Sequence, residues 1–316
     1  MVYQEKTIAV VVPAYNESKL IHLVVEGMPD YVDHIVIVDD KSPDNTVEVV
    51  KKLAENHPRI LLIEHEVNQG VGGAIRTGYI WARENDIDAA VVMAGDNQMH
   101  PDDLPALLEA IVDDKADYTK GNRLITGESW SKIPRVRYLG NAALSFLTKI
   151  VSGYWHIADS QSGYTVINKR SLQRIPLEDI YERYGVPNDI LVTLNIHNLR
   201  VKDVPIRPIY ETEVSDMKIH KVLFSISGLM ISLFFKRMLH KYIIRDFHPL
   251  ILFYFLGLSL LLVGFLLFIR VIFIWASIGD VPDISFLAFL FCFIAGLQLT
   301  LFAMLFDMEY NQDLKA

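Results

Sequence analysis

The sequence has a single cysteine, Cys292, so one chain supports neither a disulfide framework nor a cysteine-rich zinc site. Cys292 lies in an apolar run, where a small packing residue is expected. The histidines show no metal-ligand spacing. Positive charge is also short: 30 Lys and Arg stand against 38 Asp and Glu, a formal net charge of −8, which argues against a general nucleic-acid surface. The glycines of Asn68–Gly73 fit neither the dinucleotide fingerprint nor the phosphate loop ending in Gly-Lys-Ser/Thr. Charge is missing altogether from Pro249–Ile269 and from Ile284–Phe306.

Those two runs are what the sequence has most plainly. At about 1.5 Å per helical residue each is long enough to cross a hydrocarbon core of about 30 Å. Two of them, separated by a short linker, predict a C-terminal transmembrane hairpin; a buried helix pair of a soluble domain is the alternative. Lys218, Lys221, Lys236, Arg237, Lys241 and Arg245 crowd the N-terminal side of the first run, whereas the linker offers Arg270 against Asp280 and Asp283. The positive-inside rule then places both termini in the cytoplasm. The opening residues Gln4, Glu5 and Lys6 and the strand-like run after them lack the features of a secretory signal, which agrees with a cytoplasmic catalytic part. Val222–Phe235 is apolar but too short to span, and the bases after it suggest an interfacial helix, with a helix packed in the soluble core as the alternative. The expected organisation is a domain over 1–218, interfacial helices over 219–246 and the hairpin over 247–316.

The first half alternates short β-branched runs with amphipathic stretches. Thr7–Val12, Ile35–Val38, Ile60–Ile63 and Ala89–Met93 read as buried strands, and Glu17–Met28, Pro43–Glu55, Val71–Glu84 and Pro101–Asp113 as the helices between them. That alternation predicts an α/β fold with a largely parallel sheet, whose ligands collect beyond the carboxyl ends of the strands. Three of the strands run directly into polar clusters: Pro13-Ala14-Tyr15-Asn16-Glu17, Asp39-Asp40-Lys41-Ser42-Pro43-Asp44 and Gly95-Asp96-Asn97-Gln98. Carboxylates there can accept hydrogen bonds from a base or ribose, or hold a hard divalent cation; capping a helix is the plainer use of the same residues. For Gly70, Gly72 and Gly73, close backbone approach near a nucleotide and tight helix packing are equal readings.

In this order the clusters resemble the family 2 glycosyltransferases of GT-A fold, especially the dolichol-phosphate mannosyltransferase-like branch that acts on polyprenyl phosphates. The resemblance covers almost the whole chain. It rests on Pro13-Ala14-Tyr15-Asn16-Glu17-Ser18, Val38-Asp39-Asp40-Lys41-Ser42-Pro43-Asp44-Asn45-Thr46, Asn68-Gln69-Gly70 with Ala74 and Gly78, and Gly95-Asp96-Asn97-Gln98 followed by Pro101. It implies that Pro13, Tyr15, Glu17, Val38, Asp40 and Gly95 hold the nucleotide sugar, and that Asp96 and Gln98 approach a Mg²⁺ or Mn²⁺ ion on its diphosphate. Where the family has Asp-x-Asp, this chain has Ala94-Gly95-Asp96, so the first carboxylate is absent. Arg123 in Gly121-Asn122-Arg123 resembles the family's strand-end arginine, suited to donor or acceptor phosphate. Arg137 and Asn141, four apart on one predicted helix face, are further candidates for the acceptor phosphate. Asp159 in Asp159-Ser160-Gln161-Ser162-Gly163-Tyr164 resembles the acceptor-side aspartate, for positioning or proton transfer, with a turn or cap as the alternative. Lys218 matches a phosphate-binding lysine of a loop over the donor. An arginine that the mannosyltransferases carry near Glu211 is replaced, so the sugar is left open.

The resemblance implies a membrane-bound inverting transferase moving one sugar from a nucleoside diphosphate sugar (GDP-mannose, UDP-glucose or UDP-N-acetylglucosamine) to dolichyl or another polyprenyl phosphate, and leaves a homo-oligomer open. Catalysis would rest on Asp96, Asp159 and Lys218. A processive synthase is disfavoured, because the chain has neither a Gln-x-x-Arg-Trp segment nor enough spans. A lipid-linked oligosaccharide or protein acceptor, and an inactive nucleotide-binding scaffold, are the competing expectations.

Overall fold

The computed structural model describes residues 3–125, 135–208 and 219–316. The chain forms two compact units, Met1–Phe234 with Asp313–Ala316, and Phe235–Gln312.

The first unit is built on a seven-stranded sheet of β1 (Ile8–Ala14), β2 (His34–Asp39), β3 (Ile60–Glu64), β4 (Ala89–Val92), β5 (Tyr118–Asn122), β6 (Thr165–Asn168) and β7 (Val201–Pro205), in the order β3-β2-β1-β4-β6-β5-β7. The first four strands pair in parallel, β6 runs antiparallel to β4 and β5, and β7 is parallel to β5. Ile8, Val10 and Val12 of β1 enter one apolar core and Ala9 and Val11 the other, which is why the strand reads as a continuous apolar run. Around the sheet lie α1 (Ile21–Glu26), α2 (Thr46–Asn56), α3 (Val71–Glu84), α4 (Leu104–Val112), α5 (Arg135–Ser152), α6 (Lys169–Arg174) and α7 (Val186–Ile196).

Glycine sets how closely α3 is held. A Cβ on Gly78 would stand 2.2 Å from Val11 Cγ1. At the N-terminus of α3, the Gly72 and Gly73 amides donate to the Glu182 carbonyl at 2.8 and 3.2 Å, and a Cβ on Gly72 would lie 2.0 Å from the Tyr181 carbonyl oxygen. Gly70 and Gly72 thus lie against the non-helical segment 181–183. The C-terminal residues return to this unit, where Leu314 joins the core, Lys315 bridges Val201 and the Ala316 amide donates to the Val201 carbonyl at 3.2 Å.

Helix α8 (Ile219–Leu239) continues into a π-helical turn, His240–Arg245. In the second unit, α9 (Leu250–Ile278) and α10 (Asp283–Tyr310) pack side by side, 29 and 28 residues long. Their contact uses small residues: a Cβ on Gly257 would meet Thr300 Oγ1 at 2.6 Å, and one on Gly264 would meet Cys292 Cβ at 3.4 Å. The outward faces are apolar and exposed, with Phe255 at 75% and Ile284 at 84%. The expected linker is shorter than its charges suggested. Helix α9 runs through Arg270 and Trp275 to a left-handed Gly279, whose amide donates to the Trp275 carbonyl at 2.8 Å, because residues 271–278 are apolar and helix-compatible.

Candidate active site

The polar clusters lie where β1, β2 and β4 end, and the backbone there is held by side chains of the neighbouring cluster. The Asn16, Glu17 and Ser18 amides donate to Ser42 Oγ (3.0 Å), Thr46 Oγ1 (3.0 Å) and Asp44 Oδ2 (3.2 Å). The Asp40 amide donates to the Ala14 carbonyl at 2.9 Å. Asn16, Lys41 and Asn97, one at each strand end, have positive φ of 64°, 60° and 58°. For Lys41 this is uncommon backbone of the kind that clusters at functional sites. The result is a fixed rim on which Tyr15 is 51% exposed.

The two adjacent aspartates have different surroundings. Asp40 is buried and its oxygens accept from His65 Nδ1 (2.8 Å), the Gln69 amide (2.8 Å) and the Gly70 amide (2.7 Å), so it ties the end of β2 to the loop before α3. Asp39 is equally buried; its Oδ2 accepts from the Ser42 amide at 3.0 Å, and its Oδ1 has no partner among the described residues. A buried acceptor without a donor is costly unless a ligand supplies one. Sequence offers both strand-end carboxylates to a base or ribose and the resemblance points to Asp40; adjacent carboxylates look alike in sequence, and only the hydrogen bonds separate them. His65, given no role from spacing, bridges Asp40 to Thr77 Oγ1 at 2.9 Å. Pro13 is paired with Val38 in the β1–β2 register, and the Val38 side chain is in the core, leaving its backbone for the rim.

At the end of β4, Gly95 is buried and Asp96 half-buried, and the Gln98 amide donates to Asp96 Oδ1 at 3.0 Å. A Cβ on Gly95 would stand 3.2 Å from Glu17 Cγ and 3.3 Å from the Pro13 carbonyl oxygen, so glycine lets the Glu17 side chain pack beside this turn. Among the described residues no three metal-ligating side chains converge. Asp96 and Gln98 offer one carboxylate and one amide, a set that suits a hard cation completed by diphosphate and water rather than a protein-only cage.

Arg123 and Asp159 form a second centre. Arg123 follows β5, and its Nε and Nη2 donate to Asp159 Oδ2 (2.8 Å) and Oδ1 (3.2 Å) in a bidentate fork, while its own amide donates to Oδ2 at 3.2 Å. The Asp159 side chain is fully buried and that of Arg123 is 23% exposed. Burial works to raise the Asp159 pKa, but the Arg123 guanidinium and its hydrogen bonds hold the carboxyl below the usual range. Such a carboxylate is a weak proton acceptor and a good anchor for Arg123. Arg137 and Asn141 fall on α5, but their side chains lie outside the described residues, as does Lys218.

The sheet and its helices form a fold of GT-A glycosyltransferase type. Glucosyl-3-phosphoglycerate synthase of Mycobacterium tuberculosis, solved with UDP, superposes with a TM-score of 0.54 at 19% identity, covering 73% of this chain and 80% of that one. The same enzyme with Mn²⁺, UDP-glucose and phosphoglyceric acid gives a TM-score of 0.55 at 20% identity, covering 73% of this chain and 79% of that one. Residues 9–175 match glycosyl transferase family 2, to which the chain belongs. It is 35% identical over 224 residues to the UDP-N-acetylglucosamine–dolichyl-phosphate N-acetylglucosaminyltransferase of Methanococcus voltae, covering 67% of this chain and 88% of that protein. It is 29% identical over 211 residues to the undecaprenyl-phosphate mannosyltransferase of Micrococcus luteus, covering 66% and 85%. The chain is thus a glycosyltransferase whose relatives transfer sugars to polyprenyl phosphates.

Proposed function

We propose that this enzyme transfers one sugar from a nucleoside diphosphate sugar to a polyprenyl phosphate at the cytoplasmic face of a membrane. The observation that carries the reading is the Arg123–Asp159 fork. A hydroxyl acceptor on a protein or oligosaccharide needs a general base, and the aspartate expected to serve as one is buried and held ionised by a guanidinium. A phosphate acceptor is already anionic near neutral pH, needs no such base, and suits an arginine whose side chain is partly exposed.

Chemically the reaction is a displacement at the anomeric carbon: a phosphate oxygen of the acceptor forms the new C–O bond as the bond to the nucleoside diphosphate breaks. The nucleotide would sit over the rim of Pro13, Tyr15, Glu17 and the Val38 backbone, with the open oxygen of Asp39 accepting from the base or ribose and Asp40 fixing the loop beneath it. Gly95 gives the diphosphate room, and Arg123, Arg137 and Asn141 would grip the acceptor phosphate. Asp96 and Gln98 would hold a Mg²⁺ or Mn²⁺ ion, which when bound offsets charge on the departing diphosphate. Lys218 would add to that charge balance.

Two features support a membrane hairpin: the exposed apolar faces of α9 and α10, and the membership of residues 313–316 in the same unit as the sheet, as two crossings require. Within 219–246, Ile226, Met230 and Leu233 pack in an apolar cluster with Val151, Val192 and Ile196, as the soluble-core alternative requires, whereas Phe235, Leu239, Ile243, Ile244 and Phe247 are exposed and would meet the membrane interface. Two of the bases counted toward orientation play a different part, for Arg237 and Lys241 are buried against Asp307 and Asn311.

The decisive test is transfer by the full chain in detergent, with dolichyl or undecaprenyl phosphate, labelled UDP-N-acetylglucosamine, UDP-glucose or GDP-mannose, and Mg²⁺ or Mn²⁺. Given the Methanococcus relative, UDP-N-acetylglucosamine is the first donor to try. A mild-acid-labile glycolipid from one donor, abolished in Asp96→Asn, is expected; nucleotide binding without product from any donor would sink the proposal.

A further inference from the structure

The layer beneath Arg123 carries charge inside the sheet. On one face of the β5–β7 pair, Tyr118 and Val201 enter the apolar core, the next pair in register is Lys120 with Asp203, and Asn122 follows at the strand end. Lys120 is fully buried, and its ammonium donates to the Ser162 carbonyl. Burial pushes the Lys120 pKa down to about 8 against the pull of Asp159 and Asp203, and burial pushes Asp203 up to about 6. Asp203 Oδ2 accepts from Asn122 Nδ2 at 2.5 Å and from the Ala158 amide at 2.7 Å; its Oδ1 is buried without a hydrogen-bond partner among the described residues. Asn122 Oδ1 in turn accepts from the Leu124 amide at 2.9 Å.

These bonds surround Arg123. Its own amide is on Asp159, the amide after it is on Asn122, and Asn122 is on Asp203. The segment that carries Asp159 is fixed on either side, by Asp203 at Ala158 and by Lys120 at Ser162. Lys120, Arg123, Asp159 and Asp203 make two cations and two anions. A buried set of this kind stabilises a fold no better than apolar residues of similar volume, so what it holds in place is the more informative question.

We propose that Lys120 and Asp203 are positioning residues that hold the Arg123 guanidinium in the pose that binds a phosphate oxyanion. The proposal rests on the transferase reading only for the identity of the phosphate. The test uses the full chain in detergent and two soluble probes, farnesyl phosphate for the acceptor side and UDP or GDP for the donor side, with Lys120→Met, Asp203→Asn, the double variant and Arg123→Ala.

Each single variant is expected to weaken one of the two ligands about tenfold or more, as Arg123→Ala does, while leaving the other within about twofold. The double variant, which restores neutrality, is expected to be no worse than the poorer single. The ligand that weakens identifies which phosphate Arg123 holds. Unchanged affinity for both ligands, or equal losses in both accompanied by a lower melting temperature, would overturn the proposal.

Should Lys120→Met not fold, Asp203→Asn, which keeps the shape, decides alone: affinity in the wild type, relative to Asp203→Asn at each pH, should change between about pH 5 and pH 7, and a constant ratio overturns the idea. Wild-type protein that binds both probes but transfers no sugar refutes the function and leaves this test intact. Wild-type protein that binds neither refutes both.

Discussion

Asp39 and Asp40 are neighbours in sequence with opposite tasks, and substitution should separate them. Asp40→Asn turns one of two acceptor oxygens, Oδ1 for His65 and the Gln69 amide or Oδ2 for the Gly70 amide, into a donor facing a donor, so it should cost about 1–3 kcal/mol of stability, visible in a thermal melt. In Asp39→Asn the one remaining oxygen keeps the Ser42 amide and the NH2 takes the unpartnered position, so a donor replaces the acceptor offered to the nucleotide; affinity should fall about tenfold with the melting temperature held. The reverse pattern would return the nucleotide contact to Asp40. Asp159 and Asp203 are a second pair set apart by surroundings. Asp159 is held below its unfolded value, so its contribution to stability is complete above about pH 4 and is lost as pH falls through the lower folded value. Asp203 is raised to about 6, so its contribution is present below about pH 4 and is lost as pH rises through 6. Relative to wild type, Asp159→Asn should therefore be worst above pH 5, whereas Asp203→Asn should gain in relative stability from pH 4 to 6. Melts across that range check both.

Among the elements, the strands that could be read were β1 to β4, whose apolar runs supply both cores, even though β3 at the sheet edge is only partly buried. Strand β5 was legible only at its end, through Arg123, and β7 not at all, because Tyr-Thr-Lys-Gly-Asn and Val-Lys-Asp-Val-Pro carry charge in the line of the strand, and a buried lysine opposite a half-buried aspartate has no signature in either segment alone. Strand β6 is only four residues long. The glycines of α3 were legible as close approach, but their partner was not: the Tyr181–Arg183 segment is more than a hundred residues away in sequence. Gly78→Ala should lower stability by about 1–3 kcal/mol through overpacking against Val11, with nucleotide affinity retained.

At the end of α8, Arg237 donates to Asp307 Oδ1 at 2.7 Å and Oδ2 at 3.1 Å, with both side chains fully buried. Tyr242 bonds the same carboxylate, and Lys241 donates to Asn311 at 2.7 Å. Burial, with Arg237 alongside, pushes the Lys241 ammonium down to about 7. Asp307→Ala removes the carboxylate that offsets a buried guanidinium and should cost about 3–5 kcal/mol in a detergent melt, while Arg237→Met with Asp307→Leu should recover much of the loss. Equal losses in the single and double variants would show that packing, not charge, holds this junction.

The whole molecule turns on whether α9 and α10 cross a bilayer. At about 1.5 Å per residue they are roughly 43 and 42 Å long, more than a hydrocarbon core of about 30 Å requires. The excess puts Trp275 near the turn, where an interfacial aromatic is favoured, and confines the connection to Gly279–Pro282. Two crossings predict that the turn and the residues before the first span face opposite sides of the bilayer. The lone cysteine makes that measurable: Cys292→Ala removes the background, after which Asp280→Cys tests the turn and Lys52→Cys, on exposed α2, tests the catalytic unit. In intact cells making the protein, a membrane-impermeant maleimide should label position 280 directly and position 52 only after permeabilisation. Labelling of both positions from outside, or of neither until the membrane is opened, would mean that the helices lie along the membrane or pack within protein; labelling of 52 alone would reverse the orientation and, with it, the cytoplasmic site of sugar transfer.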